Sequence, residues 1–300
     1  MAGRRTDVRF LVASSFDYGT NMGSFAGRLY QATYVLGTIA GSVTTTNTVA
    51  IVGPRATPEM VLSANAFARG ALALNPNTAI IVHWTGSWRS AAQPPGEFIA
   101  IDLLVGELGA DVVYNLTDTH APLIYLSTMQ DGDRGNGEFP EGTPPVLGMG
   151  SHDADACRFA PDTCVAAAAT CWATIVFSVL RDMASGSWLP SSIDWIAMSS
   201  TSNETGVIVE GPNPELVDRE VVVNSADTIE AISTSEVGLT LPFGGTVLDA
   251  DGNERFGAGA SPDDEALQSM CWYVSGLIDT DEAPTTPPEE CEQSLSSRHK

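Results

Sequence analysis

Positive charge is what this chain has least of. Its 300 residues hold 14 Lys and Arg against 37 Asp and Glu, for a formal net charge of −23 and a pI near 4.2. Nucleic-acid backbones are bound by clustered basic side chains, so DNA and RNA are excluded as partners, and the acidic surface is read as a solubility feature. No apolar run reaches membrane-spanning length. Two arginines lie within Met1–Asp7, but no apolar signal core follows, and Val8–Ala13 already has the pattern of a strand. The five cysteines, at 157, 164, 171, 271 and 291, show neither Cys-x-x-Cys nor paired Cys/His spacing, which argues against a structural zinc site. Cys157 and Cys164 flank a short loop and suit a disulfide in an oxidising compartment, and the odd count leaves at least one thiol over.

Catalytic and cofactor motifs are scarce as well. There is no Gly-x-x-x-x-Gly-Lys-Ser/Thr phosphate loop and no Gly-x-Ser-x-Gly elbow. Gly148-Met149-Gly150 lacks the third glycine of a dinucleotide fingerprint and opens no helix. His152, Asp153, Asp155 and Cys157 are metal-competent, but adjacent loop residues of these types are more often turn formers. Asp249–Asn253 resembles half of a calcium loop without the downstream glutamate, and reads as a hairpin turn. No metal and no cofactor is expected.

What is present is a regular alternation. Hydrophobic residues make up 43% of the chain, enough for one large domain or two lobes. The organising stretch is Gly109–Pro122: a glycine ending a helix over Glu97–Leu108, a buried strand over Val112–Leu116, then a polar loop, Thr117-Asp118-Thr119-His120. Strands are also expected at Asp7–Ala13, Val49–Val52, Ala79–Trp84 and Val146–Met149, with helices over Phe25–Ala40, from Thr57-Pro58-Glu59 to Asn75-Pro76, and over Pro122–Met129. Such alternation predicts parallel pairing with right-handed crossovers. The exits Pro54–Thr57, Thr85–Trp88, Thr117–His120 and Ser151–Asp155 then share one sheet edge, where open α/β sheets hold ligands. Beyond them, Cys164–Met183 reads as a short strand or turn running into a helix, Ile193–Ser199 and Val207–Glu210 as strands, and Ser225–Ile232 as a helix. Trp88 and Trp172 are placed to stack on a planar ligand, whereas Trp188 reads as packing.

Several pieces, in this order and spacing, match a known family. They are Asn21-Met22-Gly23 with Gly27-Arg28-Leu29-Tyr30-Gln31-Ala32, Thr57-Pro58-Glu59 with Asn65-Ala66-Phe67, Leu74-Asn75-Pro76, Ser87-Trp88, Gly109-Ala110-Asp111-Val112 with Thr117-Asp118, Asp153-Ala154-Asp155 with Phe159-Ala160-Pro161, Leu241-Pro242-Phe243 through Asp249–Gly252, and Trp272-Tyr273-Val274. Over Asp7–Ile278 the chain resembles the basic membrane protein (BMP) family of bacterial lipoproteins, the substrate-binding components of ABC transporters for purines and nucleosides. The resemblance implies an α/β, type I periplasmic-binding-protein-like fold of two Rossmann-like lobes with parallel sheets, here with the first lobe incomplete. Residues 7–23 and 163–190 are then a remnant of lobe one, 24–162 a complete lobe two, 191–278 the strands and helix completing both, and 279–300 an acidic, Pro-rich, disordered tail.

By the same resemblance, Asp118, Trp172, Asp153, Asp155, Trp88 and Asn21 are the ligand-binding residues, with a carboxylate accepting from ribose hydroxyls or an exocyclic amine and an indole covering the base. The family's Asn-Trp becomes Cys171-Trp172, and its ribose-contacting lysine has no counterpart near Thr170. The implied partners are a small purine- or nucleoside-like molecule and an ABC permease. Membrane attachment would come only through a lipid anchor that this chain does not carry. A cell-envelope location follows if a signal lies upstream of Met1, and a cytoplasmic one if the native chain begins there. The competing readings are a nucleoside hydrolase-like α/β enzyme and a truncated, non-binding remnant.

Overall fold

The computed structural model describes residues 7–13, 19–88, 93–130, 145–190, 193–234, 240–280 and 291. Strands β1 (Phe10–Ala13) and β2 (Met22–Gly27) lead into helix α1 (Leu29–Val43). Strand and helix then alternate through β3 (Thr48–Gly53), α2 (Pro58–Leu74), β4 (Ala79–Trp84), α3 (Gly96–Ile101, prolonged by a π-helical turn over Asp102–Glu107), β5 (Val112–Asn115) and α4 (Ala121–Gln130). Next come β6 (Leu147–Ser151), β7 (Cys164–Thr170), α5 (Trp172–Ser185), β8 (Ile193–Ile196), β9 (Val207–Glu210) and α6 (Arg219–Ser233). The hairpin β10 (Val247–Leu248) and β11 (Glu254–Phe256), the short α7 (Asp264–Gln268) and β12 (Leu277–Asp279) follow.

These strands make a seven-stranded sheet in the order β12-β4-β3-β5-β6-β7-β9, a three-stranded sheet β1-β2-β8 and the β10-β11 hairpin. In the large sheet every pairing is parallel except β7 with β9. The exits of β3, β4, β5 and β6 therefore lie on one edge, as the alternation of the sequence requires. Side chains alternate between its two faces. Val49, Ile51, Val112 and Tyr114 join the core beneath α1 and α2, while Ala50, Val52 and Val113 join a second core with Ile101, Leu104 and Leu126 of the opposite layer. Helices α1 and α2 touch backbone to backbone, because a side chain at Gly37 would meet the Phe67 carbonyl and one at Gly70 the Tyr34 carbonyl.

Several sequence expectations are corrected. Ser14–Gly23 was expected as a loop and Phe25–Ala40 as a helix, but Met22–Gly27 is strand β2 and the helix starts at Leu29. Met22–Gly27 is rich in small residues and has no period of its own; pairing on both sides, with β1 and β8, makes it a strand. The boundary expected between residues 23 and 24 thus falls inside β2. The segment 163–190 is divided too, since β7 belongs to the large sheet while Ile175 and Val179 of α5 pack with Phe25 of β2. Val176, Phe177 and Leu180 on the outer side of α5 stay exposed. The expected helix over Glu97–Leu108 changes to π-helical winding midway, and Gly109 ends it at φ +74°. Of the tail expected to be disordered, Asp279 lies in β12 and Cys291 is buried in a disulfide with Cys271; 281–290 and 292–300 lie outside the described residues, as does 131–144 of the expected Gly- and Pro-rich loop. The Cys157–Cys164 disulfide forms, leaving Cys171 as the free thiol.

The chain passes between the two sheets at Gly27–Leu29, at Thr170–Trp172 and between Ile196 and Val207. These passages are stitched by main-chain bonds: Arg28 N–H to Ile196 O (2.8 Å), Cys171 N–H to Gly206 O (2.9 Å) and Gly206 N–H to Ala197 O (2.7 Å). A Cβ on Gly27 would stand 2.6 Å from the Gly206 carbonyl, and one on Gly206 would strike the Ile196 carbonyl. Only glycine permits this approach. At the opposite end of the large sheet, the buried Asp111 carboxylate accepts from Thr44 Oγ1 (2.6 Å), Thr45 N (2.6 Å), Thr45 Oγ1 (2.7 Å) and Thr46 N (2.9 Å). Burial alone would push its pKa up, but these bonds outweigh burial and hold it below the ordinary carboxylate range.

Gly206→Ala is expected to destabilise the fold by about 2–3 kcal/mol through overpacking, read as a lower urea midpoint at unchanged slope. A midpoint equal to wild type would show that the passages are not closely packed. Asp111→Asn is expected to cost about 2–3 kcal/mol near neutral pH. Because the folded-state pKa is depressed, that stability is present above the unfolded value of about 3.9 and is lost as pH falls through the lower folded value. Denaturation curves of the two proteins should converge towards acid pH, and a gap that does not change with pH would contradict the assignment.

Candidate functional site

The carboxyl edge of the large sheet collects the polar side chains. Asn115, the last residue of β5, closes the loop that follows: its Nδ2 donates to Thr119 O (2.7 Å), and its Oδ1 accepts from Thr117 N (3.0 Å) and Thr117 Oγ1 (2.8 Å). Leu116 N–H adds a bond to Val52 O. The loop is therefore rigid on both flanks and carries Asp118, exposed, at its tip. Buried Glu97 of α3 supports it from below, with Oε1 accepting from Thr119 Oγ1 (3.4 Å) and Oε2 unpaired.

The neighbouring exit, after β6, is tied to this loop. Asp153 Oδ2 lies 3.0 Å from His120 Nε2 and 3.8 Å from an Arg158 nitrogen, and Asp153 Oδ1 accepts from Asp155 N–H. Arg158 also reaches Asp155 at 3.8 Å, and the His120 ring lies 4.1 Å from that of Phe159. Both carboxylates expected to face a ligand thus have protein partners, with Asp155 the more exposed of the two. Cys157 is taken by its disulfide, and no group of three metal-competent side chains occurs among the described residues. At Asp249, Oδ1 accepts from the backbone N–H groups of Asp251 and Asn253 and Oδ2 from Arg255 Nε at 2.7 Å, which makes that loop a self-contained turn.

The aromatic candidates separate. Trp172 opens α5 immediately after β7, at the passage to the small sheet, half-exposed and edge-on to Phe25 with centroids 6.1 Å apart. The adjacent Cys171 thiol has its pKa raised by burial. Trp88 leaves β4 on the same edge and is also half-exposed. At the ordinary strand spacing, β5 and β7 are roughly 10 Å apart across β6, whereas β4 and β7 are roughly 19 Å apart. Asp118 and Trp172 thus follow strands two spacings apart, and Trp88 and Trp172 follow strands four spacings apart. Asn21 stands at the amino end of β2, buried, its amide donating to Val8 O at 2.8 Å. Trp188 is buried in the core with Phe25, Ile175 and Val179, as packing requires. Sequence reasoning missed the His120–Asp153 pair, Glu97 and the placement of His152; nothing in residue spacing distinguishes these from ordinary turn and helix residues.

Two α/β sheets joined by three chain passages make a fold of the periplasmic-binding-protein type. Solved structures agree on that fold. A solute-binding protein of an ABC transporter system from Aeropyrum pernix has a TM-score of 0.56 at 15% identity, covering 80% of this chain and 68% of its own. One from Conexibacter woesei gives 0.51 at 18%, covering 77% and 71%. A transcriptional activator of the comK gene from Bacillus halodurans gives 0.60 at 18%, covering 78% and 73%. The profile of the family described as ABC transporter substrate-binding protein, PnrA-like, matches residues 1–201, and the chain belongs to that family. A purine-binding protein of Brucella abortus is 27% identical over 279 residues, 93% of this chain and 71% of the relative. A Haloferax volcanii protein named as an ABC transporter glucose-binding protein is 28% identical over 274 residues, and the chain spans 59% of its length.

Asn115→Ala removes the side chain that closes the Asp118 loop. Hydrogen exchange of the Thr117 amide is expected to accelerate about tenfold or more, the equivalent of roughly 1.4 kcal/mol, with little change in global stability. An unchanged exchange rate would show that the loop does not depend on Asn115.

Proposed function

We propose that this substrate-binding component takes up a small polar solute, a purine base or nucleoside, at the carboxyl edge of the large sheet, and delivers it to the permease of an ABC import system. The observation that carries this reading is the placement of Asp118 on a rigid loop tip roughly two strand spacings from Trp172, on one edge and beside the passages between the sheets. The carboxylate supplies an acceptor for ring N–H, amine or ribose hydroxyl donors, and the indole supplies a planar apolar face. The two sheets mark the two lobes, so a solute at their junction touches both. The Brucella abortus relative named for purine binding supports the ligand class, and the Haloferax volcanii relative favours a hexose as the second reading. In a lipid-anchored envelope protein, the disulfides Cys157–Cys164 and Cys271–Cys291 would persist in an oxidising compartment. The described helices include none long and apolar enough to cross a membrane.

Thermal unfolding with adenosine, hypoxanthine or glucose tests the site. At least one purine is expected to raise the melting temperature of the wild type, and Asp118→Ala and Trp172→Ala each to weaken that binding about tenfold or more. Adenosine incubated with the protein is expected to remain intact, and release of free adenine would turn the reading towards a hydrolase. Purine-dependent stabilisation that survives in both variants would remove these residues from the site.

A further inference from the structure

Besides Glu97 Oε2, a second buried polar atom at this edge has no hydrogen-bond partner. His152, directly after β6, adopts φ +65°, a conformation uncommon outside glycine. Its Nε2 is buried and makes no hydrogen bond. The ring bonds to the Leu116 main chain, and since Leu116 N–H is already committed to Val52 O, the Leu116 carbonyl accepts from Nδ1–H. Burial lowers the pKa of His152, and the opposing Asp118 charge and the Leu116 bond do not reverse this. The neutral ring with its proton on Nδ1 presents a bare lone pair at Nε2. Backbone strain and an unsatisfied buried acceptor fall on the same residue, in the β6 exit loop one position before Asp153 and within the field of Asp118, and such costs gather where a site awaits its ligand.

We propose that His152 is a ligand-contacting residue whose Nε2, together with the Asp118 carboxylate, receives two neighbouring hydrogen-bond donors of the bound solute. This rests on the reading of the edge given above and adds the donor pattern to it. Both groups are acceptors, so a carboxylate or phosphate is rejected there while a donor pair is held. Two kinds of solute supply such a pair: vicinal hydroxyls of a ribose or hexose, and adjacent N–H groups of a base.

The test uses the full chain, uniformly 15N-labelled, with hypoxanthine, adenosine and glucose as probes. The chain has four histidines, and the imidazole resonances of His152 are assigned by their loss in His152→Asn, a replacement that tolerates positive φ. On saturation with a probe that calorimetry shows to bind, the His152 Nε2 resonance is expected to shift. His152→Asn is expected to weaken that probe about tenfold or more while the unliganded protein keeps one cooperative unfolding transition. A shift with glucose assigns the donors to hydroxyls, and a shift with hypoxanthine to ring N–H groups. Binding that is lost in Asp118→Ala but leaves Nε2 unmoved overturns the role of His152 and keeps the edge as the site. Failure of all three probes to bind the wild type overturns both readings together.

Discussion

The contact that the rest of the structure depends on is the approach of Gly27 to Gly206. With no side chain on either, the end of β2 lies against the segment between β8 and β9, and the three passages between the sheets run close enough to bond through their main chains. That closeness puts Trp172, on the first turn beyond β7, against Phe25 of the small sheet. It also brings Arg28 over Trp195 at 4.3 Å and onto Asp264 at 2.8 Å, so a surface ion pair and a cation–π contact buttress the same place. A bulkier residue at either glycine would push the sheets apart at this passage.

The chemistry of the edge follows from which polar groups are spent and which are not. Asp111, Asp249 and Asp153 have protein partners on each carboxylate and serve as anchors. Trp84 Nε1, Tyr273 OH and Asp279 Oδ2 satisfy one another at 2.6–3.1 Å where β4 meets β12. Against this background, Asp118 at a loop tip, Glu97 Oε2 beneath it and the Nε2 of His152 stand out as polar groups without protein partners. A buried network is stable only when each member is paired, so an incomplete one beside a complete one points to the partner that arrives from outside.

Much of this was readable before any coordinates. The alternation of β3 to β6 with α2 to α4, the cap at Thr57-Pro58, the stop at Gly109 and the shared edge follow from hydrophobic period and turn chemistry, both of which are local. Strand β2 was not readable, because Met22–Gly27 owes its conformation to β1 and to β8, which lies more than 160 residues further along the chain. The site divides in the same way. Asp118 and Trp172 sit at element ends that sequence locates, whereas the capture of Asp153 by His120 and the burial of His152 Nε2 are tertiary facts with no sequence period behind them.

The same division explains what the edge can select. The chain's sole lysine is Lys300, and Arg158 at this edge is turned onto Asp153 and Asp155. A site of acceptors in an acidic protein repels anionic solutes at long range and again at contact. Purine bases, nucleosides and hexoses share what remains: no net negative charge and several adjacent donors. Discrimination among them then falls to shape, chiefly to whether a planar face is present for Trp172 to cover. In the site proposed above, a solute with donors but no such face keeps the contacts at Asp118 and His152 and lacks the one at the indole.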